Sequence, residues 1–144
     1  MYPKEFPIGS ALLDLIHEHQ RFVDNRLRAL KLYPGQDTLL LVLRDADLQS
    51  QAQLVKRLDV EHSTITKSVH RMQKTGLLIV SPSEEDQRKR LVSLTPQGRK
   101  IADQVHVIYQ EAEQFAGKHL TQQELTNMTQ GMNRLAHFFK ETQS

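Results

Sequence analysis

Apolar positions along this 144-residue chain recur mostly at helical spacing. Between about Ile8 and Leu30, the residues Ile8, Leu12, Leu15, Ile16, His19, Phe22, Val23, Leu27 and Leu30 fall near one face of a helix. Tyr33-Pro34-Gly35 is a strong breaker and ends that pattern. A second helix, Gln36 to Arg44, is short. Leu39, Leu40, Val42 and Leu43 make it apolar enough to belong in a core. Ser50-Gln51-Ala52-Gln53 has the form of a capping box, opening a helix that ends near Leu58. The gap Asp59-Val60-Glu61-His62 leads to another helix, Ser63 to Thr75. There Ile65, Val69 and Met72 turn inward, and Gly76 supplies the left-handed stop.

The period then changes. Leu77-Leu78-Ile79-Val80, bounded by Gly76 and Pro82, reads as a strand. Ser81 to Lys89 is a charged turn, and Arg90 to Leu94 alternates as the return strand. Thr95-Pro96 places a capping threonine before a proline at the first helical position. The helix it opens carries Ile101, Val105, Ile108, Ala112 and Phe115 on one face and is expected to stop at Gly117 after Ala116. A second capping box, Thr121-Gln122-Gln123-Glu124, opens a last helix to about Phe139. Its stripe is Leu125, Met128, Met132, Leu135 and Phe138 or Phe139.

The predicted fold is mainly α: a winged helix-turn-helix with a two-stranded β wing. The lobe spans residues 36–95 of a single 1–144 domain. In such a lobe the first short helix braces the second, and the second fits the DNA major groove, which is wide enough for one helix. With Ile65, Val69 and Met72 inward, the opposite face carries His62, Ser63, Thr66, Lys67, His70, Arg71 and Lys74. Ser63, Thr64 and Thr66 sit near the positive helix end, which favours phosphate. Lys67, His70 and Arg71 have the reach for base edges or phosphates. An ordinary amphipathic helix would show a similar solvent face, so this helix alone does not decide the matter.

Charge and the hairpin change the balance. The net formal charge is only +2, yet Leu54 to Lys100 holds ten basic residues against five acidic ones. That asymmetry suits a polyanion, although a basic solvated surface would look the same. The segment from Asp86 to Gly98, DQRKRLVSLTPQG, resembles the wing and following helix start of the MarR family of bacterial regulators, with their D-x-R and L-T-x-x-G elements. Leu54 to Val60, Ser63 to Lys67 and the Met72 to Leu78 exit are similar to that family's helix-turn-helix. The likeness extends over the whole chain in length and helix order.

The resemblance implies several roles. Arg88 matches the wing arginine that enters the minor groove, and Asp86 the aspartate that holds its orientation as a carboxylate partner. Turn chemistry alone would also favour an aspartate at that place. Lys89 or Arg90 would add phosphate contacts. Residues 1–31 and 96–144 match the family's N- and C-terminal dimerisation helices. The expected partners are a second copy of the chain and double-stranded DNA with a pseudo-palindromic operator. Relatives respond to small aromatic or phenolic molecules, and His17, Arg21, Tyr33 and Tyr109 are the candidates to line such a pocket. A satisfied core residue is the commoner role for a lone polar group on an apolar helix. In two places the chain departs from the family pattern: Glu61-His62 lead into the second helix, and Glu84-Glu85 make the wing tip acidic.

Other classes are narrowed by what is missing. With no cysteine, there is no disulfide framework, thiolate zinc site or cysteine nucleophile. This fits a reducing cytoplasm, and no run of 18 apolar residues suggests a membrane span. His17-Glu18-His19 has the wrong spacing for chelation on a helix, so no metal site is expected. Distant histidines leave a metal-responsive regulator as an alternative. There is no glycine-rich phosphate loop, nucleophile elbow or apolar carboxylate pair, so neither catalysis nor a cofactor is expected. A winged helix used for protein contact is the remaining alternative. Lys67, Arg71 and Lys74, with no acid after Glu61 in that helix, favour DNA.

Overall fold

The computed structural model describes residues 3–144. The first two residues of the predicted 1–31 dimerisation segment therefore lie outside the described residues. The elements run α1 (Pro7–Leu27), a 3-10 turn (Arg28–Leu30), α2 (Gln36–Asp45), α3 (Gln51–Leu58), α4 (His62–Lys74), β1 (Leu78–Pro82), β2 (Arg90–Leu94), α5 (Pro96–His119) and α6 (Gln122–Glu141). This is the mainly helical winged helix-turn-helix that the sequence pattern predicts. Two compact units divide at Tyr109/Gln110, within α5.

The core of the first unit is built from the predicted inward positions. Leu39, Leu40 and Leu43 of α2, Leu54 of α3, and Ile65, Val69 and Met72 of α4 are buried together with Val92, Ala102 and Val105. Burying each such aliphatic side chain stabilises the fold by roughly 1.5–3 kcal/mol. α4 ends as expected: the Leu77 amide bonds the Met72 carbonyl (2.9 Å) and the Gly76 amide bonds the Gln73 carbonyl (3.1 Å), with Gly76 at φ +77°. This paired closure needs a left-handed residue, which glycine supplies at least cost.

The wing is an antiparallel pair with Leu78 opposite Leu94, Val80 opposite Val92 and Pro82 opposite Arg90. Gln49, just before α3, adds a short bridge to Val92 through two backbone hydrogen bonds (3.0 and 2.7 Å). The ribbon is thereby fixed to the helix-turn-helix. Its root is fixed again by the start of α5. Thr95 Oγ1 accepts from the Gly98 amide (2.9 Å) and donates to the Gly76 carbonyl (2.6 Å), while the Thr95 amide donates to the Leu77 carbonyl (3.1 Å). A Cβ built on Gly98 would lie 1.9 Å from the Leu77 carbonyl oxygen. The L-T-x-x-G string is thus a joint: Leu94 enters the core, Thr95 ties two turns together, and Gly98 lets the helix touch the backbone.

Three expectations need correction. Pro82 does not bound β1 but ends it, pairing with Arg90 at the tip of the ribbon, where an edge position tolerates its missing N–H. Gly117 does not stop α5, which runs on to His119. The chain turns instead at Leu120, and Thr121 caps α6 with the predicted box, its Oγ1 accepting from the Glu124 amide (3.2 Å). The last helix also continues past Phe139 to Glu141.

Apolar surface stays uncovered on each unit. In the first, Ile8, Leu12, Leu15 and Ile16 of α1 are exposed, Ile8 by 66%. In the second, α6 has no buried residue at all, and Phe115, Met132, Leu135, Phe138 and Phe139 face solvent. Among the described residues no helix is long and apolar enough to cross a membrane.

Candidate DNA interface

The helix-turn-helix is set by local chemistry. Ser50 and Gln53 form the predicted capping box (3.2 and 2.8 Å) at the start of α3. Asp59 then turns the chain in the left-handed conformation, φ +53°, so that α4 follows after only Val60 and Glu61. Glu61 occupies the N-cap without a side-chain bond, and its carbonyl accepts from Thr64 (3.1 Å) and Ile65 (3.3 Å). The amides ahead of those, on His62 and Ser63, have no backbone acceptor among the described residues.

All seven residues expected on the outer face of α4, together with Thr64, are exposed. Their local ties differ. Thr66 is turned back into the protein: its hydroxyl lies 2.9 Å from Gln51 Oε1 and 3.0 Å from the His62 carbonyl. Arg71 lies with its guanidinium carbon 5.6 Å from the Tyr33 ring centre, a cation–π approach. Among the described residues, Lys67, Lys74, Arg88, Lys89 and Arg90 form no ion pair. Arg44, Arg57 and Arg99, by contrast, are paired with Asp103, Asp45 and Asp47 at 2.7, 2.7 and 2.9 Å.

The wing tip is closed by the Ser83 amide on the Lys89 carbonyl (2.8 Å) and the Lys89 amide on the Asp86 carbonyl (2.9 Å). Asp86 Oδ1 accepts from the backbone amide of Arg88 (3.1 Å). The carboxylate therefore holds Arg88 through its backbone, as an Asx turn, and not through the bidentate guanidinium contact expected from sequence. Arg88, Lys89 and Arg90 stand exposed beside Glu84 and Glu85.

The four ligand candidates do not gather at one place. Tyr33 lines a cleft of about 580 Å³ in the first unit, with Leu30, Leu32, Leu77 and Ile101 as apolar walls and Lys31, Arg71 and Lys74 as cations. Tyr109 does not line that cleft: its hydroxyl donates to Asp37 Oδ2 at 2.7 Å, and Asp37 borders a smaller pocket of about 200 Å³ that Tyr33 also lines. Burial first, then that hydrogen bond and the Asp37 charge, hold its phenol far above the ordinary range. Arg21 pairs with Glu18 at 3.0 Å on the exposed side of α1, and His17 is exposed on the same helix. Among the described residues no three His, Cys, Asp or Glu side chains are grouped to hold a metal.

Sequence reasoning passed over Asp37, Asp47 and Gln51. Asp37 and Asp47 find partners 72 and 52 residues away, and no local pattern signals this. In sequence, Gln51 stands only as an inner member of the capping box.

Comparison with known proteins agrees with this geometry. The MarR family model matches residues 37–89. Among solved structures, a mutant MarR from E. coli complexed with operator DNA is 25% identical, with a TM-score of 0.80, covering 92% of this chain and 95% of that one. BpsR of Bordetella bronchiseptica, whose DNA binding is regulated by 6-hydroxynicotinic acid, is 24% identical at a TM-score of 0.80, covering 94% and 97%. An S. aureus MepR–DNA complex shares the fold at 20% identity and a TM-score of 0.82, covering 90% and 96%.

Proposed function

We propose that this chain is a winged helix-turn-helix transcriptional regulator of the MarR family and not an enzyme, acting as a homodimeric, ligand-responsive repressor of a pseudo-palindromic operator. The observation that carries the reading is the outer face of α4 with the wing. Lys67, Lys74, Arg88, Lys89 and Arg90 stand there exposed and, among the described residues, without ion pairs, whereas Arg44 and Arg57 on α2 and α3 are paired with Asp103 and Asp45. Ser63, Thr64 and His70 complete the contact set on α4, and Arg71 reaches it from the edge. Asp86 shapes the turn that presents Arg88.

The bare apolar faces of α1 and α6 are surfaces of the kind a second copy covers. In a two-fold dimer the two recognition helices enter successive major grooves about 34 Å apart. The Tyr33 cleft, apolar with three cations at its rim, suits a small aromatic anion. Arg71 and Lys74 belong to both the cleft and the recognition helix. A ligand that draws them inward favours a lobe less suited to DNA, a shift between two populations.

The test is titration of a labelled duplex from the region upstream of the protein's own gene, with salt and unrelated competitor DNA, beside sedimentation of the free protein. A dimer whose binding resists competitor and falls steeply with salt supports the reading. Release by millimolar 6-hydroxynicotinic acid, lost in Tyr33→Ala, supports the ligand part. A monomer that binds all duplexes alike overturns the operator and dimer parts together.

A further inference from the structure

The hydroxyl of Thr66 is engaged within the protein. It lies 2.9 Å from Gln51 Oε1, 3.0 Å from the His62 carbonyl and 3.3 Å from His62 Nδ1. Gln51 is the first residue of α3, directly after the Ser50 cap, and it is only half-buried. Thr66 has a single hydroxyl proton, and Gln51 Oε1 is the nearer of its two carbonyl acceptors; given there, the proton sets the orientation of the Gln51 amide. Its Nε2 then carries two N–H groups that have no partner among the described residues. No buried side-chain polar atom among them lacks a bond, so this amide nitrogen is open to solvent.

We propose that Gln51 is a DNA-backbone contact, donating from Nε2 to a phosphate oxygen, and that Thr66 is the positioning residue that aims it. The chemistry selects phosphate over a base. Adenine recognition by glutamine needs donor and acceptor turned together towards one base, and here the acceptor is held towards Thr66. In helix-turn-helix docking the second helix lies in the groove while the first crosses the backbone. A donor at the first residue of α3, bonded across to the second turn of α4, spans those two elements. Gln51 then sets register on the duplex without reading sequence. Thr66 contributes through Gln51 and makes no contact of its own.

The inference rests on the DNA-binding role, and the experiment separates the two. Wild type, Arg88→Ala, Gln51→Ala, Gln51→Glu, Thr66→Val, Thr66→Ser and the Gln51→Ala/Thr66→Val double variant are titrated on operator and random duplexes. Helicity and melting temperature of each free protein are recorded alongside. Gln51→Ala is expected to weaken both duplexes by about 10-fold alike, as loss of a neutral donor to a charged group does. Gln51→Glu, which sets a carboxylate against phosphate at unchanged size, weakens both further. Thr66→Val loses about 3-fold, Thr66→Ser restores wild-type binding, and Thr66→Val costs nothing more once Gln51 is gone. Loss confined to the operator overturns the phosphate assignment. Full loss from Thr66→Val in the Gln51→Ala background overturns the positioning role. If Arg88→Ala weakens binding while Gln51→Ala and Gln51→Glu do not, this inference alone falls. If wild type binds neither duplex, the DNA-binding role falls with it.

Discussion

Arg99 of α5 and Asp47 of the α2–α3 connection meet at 2.9 Å, Nη2 to Oδ2, while the other oxygen of Asp47 accepts the backbone amides of Leu48 and Leu94, each at 3.0 Å. One carboxylate thus joins the entry to the helix-turn-helix, the end of the wing and the first turn of α5. The ion pair is half-exposed on the arginine side and worth little by itself. The amide of Leu94, whose side chain is in the core, is the costly group to strand. Asp47→Ala is expected to lower unfolding free energy by about 1–3 kcal/mol. Asp47→Asn keeps an amide acceptor and loses less. Denaturant melts of the two variants decide the point: equal losses would mean that the ion pair, and not the amide bonds, carries the joint.

Gly98→Ala tests the contact between α5 and the Gly76–Leu77 turn. The added carbon would sit 1.9 Å from a backbone oxygen, so the helix itself must move. A loss of about 3 kcal/mol or more is expected, at the upper end for overpacking. Gly117→Ala, where nothing lies within 4 Å and the backbone is helical, should be neutral or slightly stabilising. Thermal melts of the pair check both signs.

The Tyr109–Asp37 hydrogen bond links α5 to the start of α2 at a carboxylate that is 8% exposed. Tyr109→Phe should cost about 1–3 kcal/mol at neutral pH by leaving that carboxylate without its donor. The folded phenol holds its proton more tightly than the unfolded one. Its contribution is therefore present below the unfolded value near 10 and is lost as pH rises beyond it. Melting from pH 8 to 11 should show this alkaline decline in the wild type and a shallower one in Tyr109→Phe. Equal slopes would remove Tyr109 as its source.

At the wing, Arg88→Ala should weaken operator binding by about 1–3 kcal/mol with the helical content unchanged. Asp86→Asn retains an oxygen for the Arg88 amide and should bind nearly as wild type, whereas Asp86→Ala loses the turn and binds less well. If Asp86→Asn falls as far as Asp86→Ala in gel-shift titrations, the negative charge matters, and the carboxylate holds the guanidinium in the complex.

Much of this was legible in the residues, and the reason is locality. A capping box needs four consecutive residues, so Ser50–Gln53 and Thr121–Glu124 are both found where their sequence places them. The inward faces of α2 and α4 follow from periodicity, since a helix that borders one core must repeat its apolar residues at its own pitch. Gly76 was readable because a left-handed stop follows directly on the last turn it closes. Gly117 looked the same in sequence, yet no stop was needed there, and α5 ran on through it.

What the tertiary structure alone decided is which side chains spend their polar groups inside the protein. Thr66 looked like a DNA contact and is turned towards Gln51; Tyr109 looked like a pocket residue and is held by Asp37; Asp47 gave no signal and joins three elements. Sequence determines how each helix presents its faces, because that depends on neighbours three and four residues away. It leaves open where a hydrogen-bond partner comes from when that partner is 15, 72 or 52 residues distant, because only packing of the core brings those atoms within 3 Å.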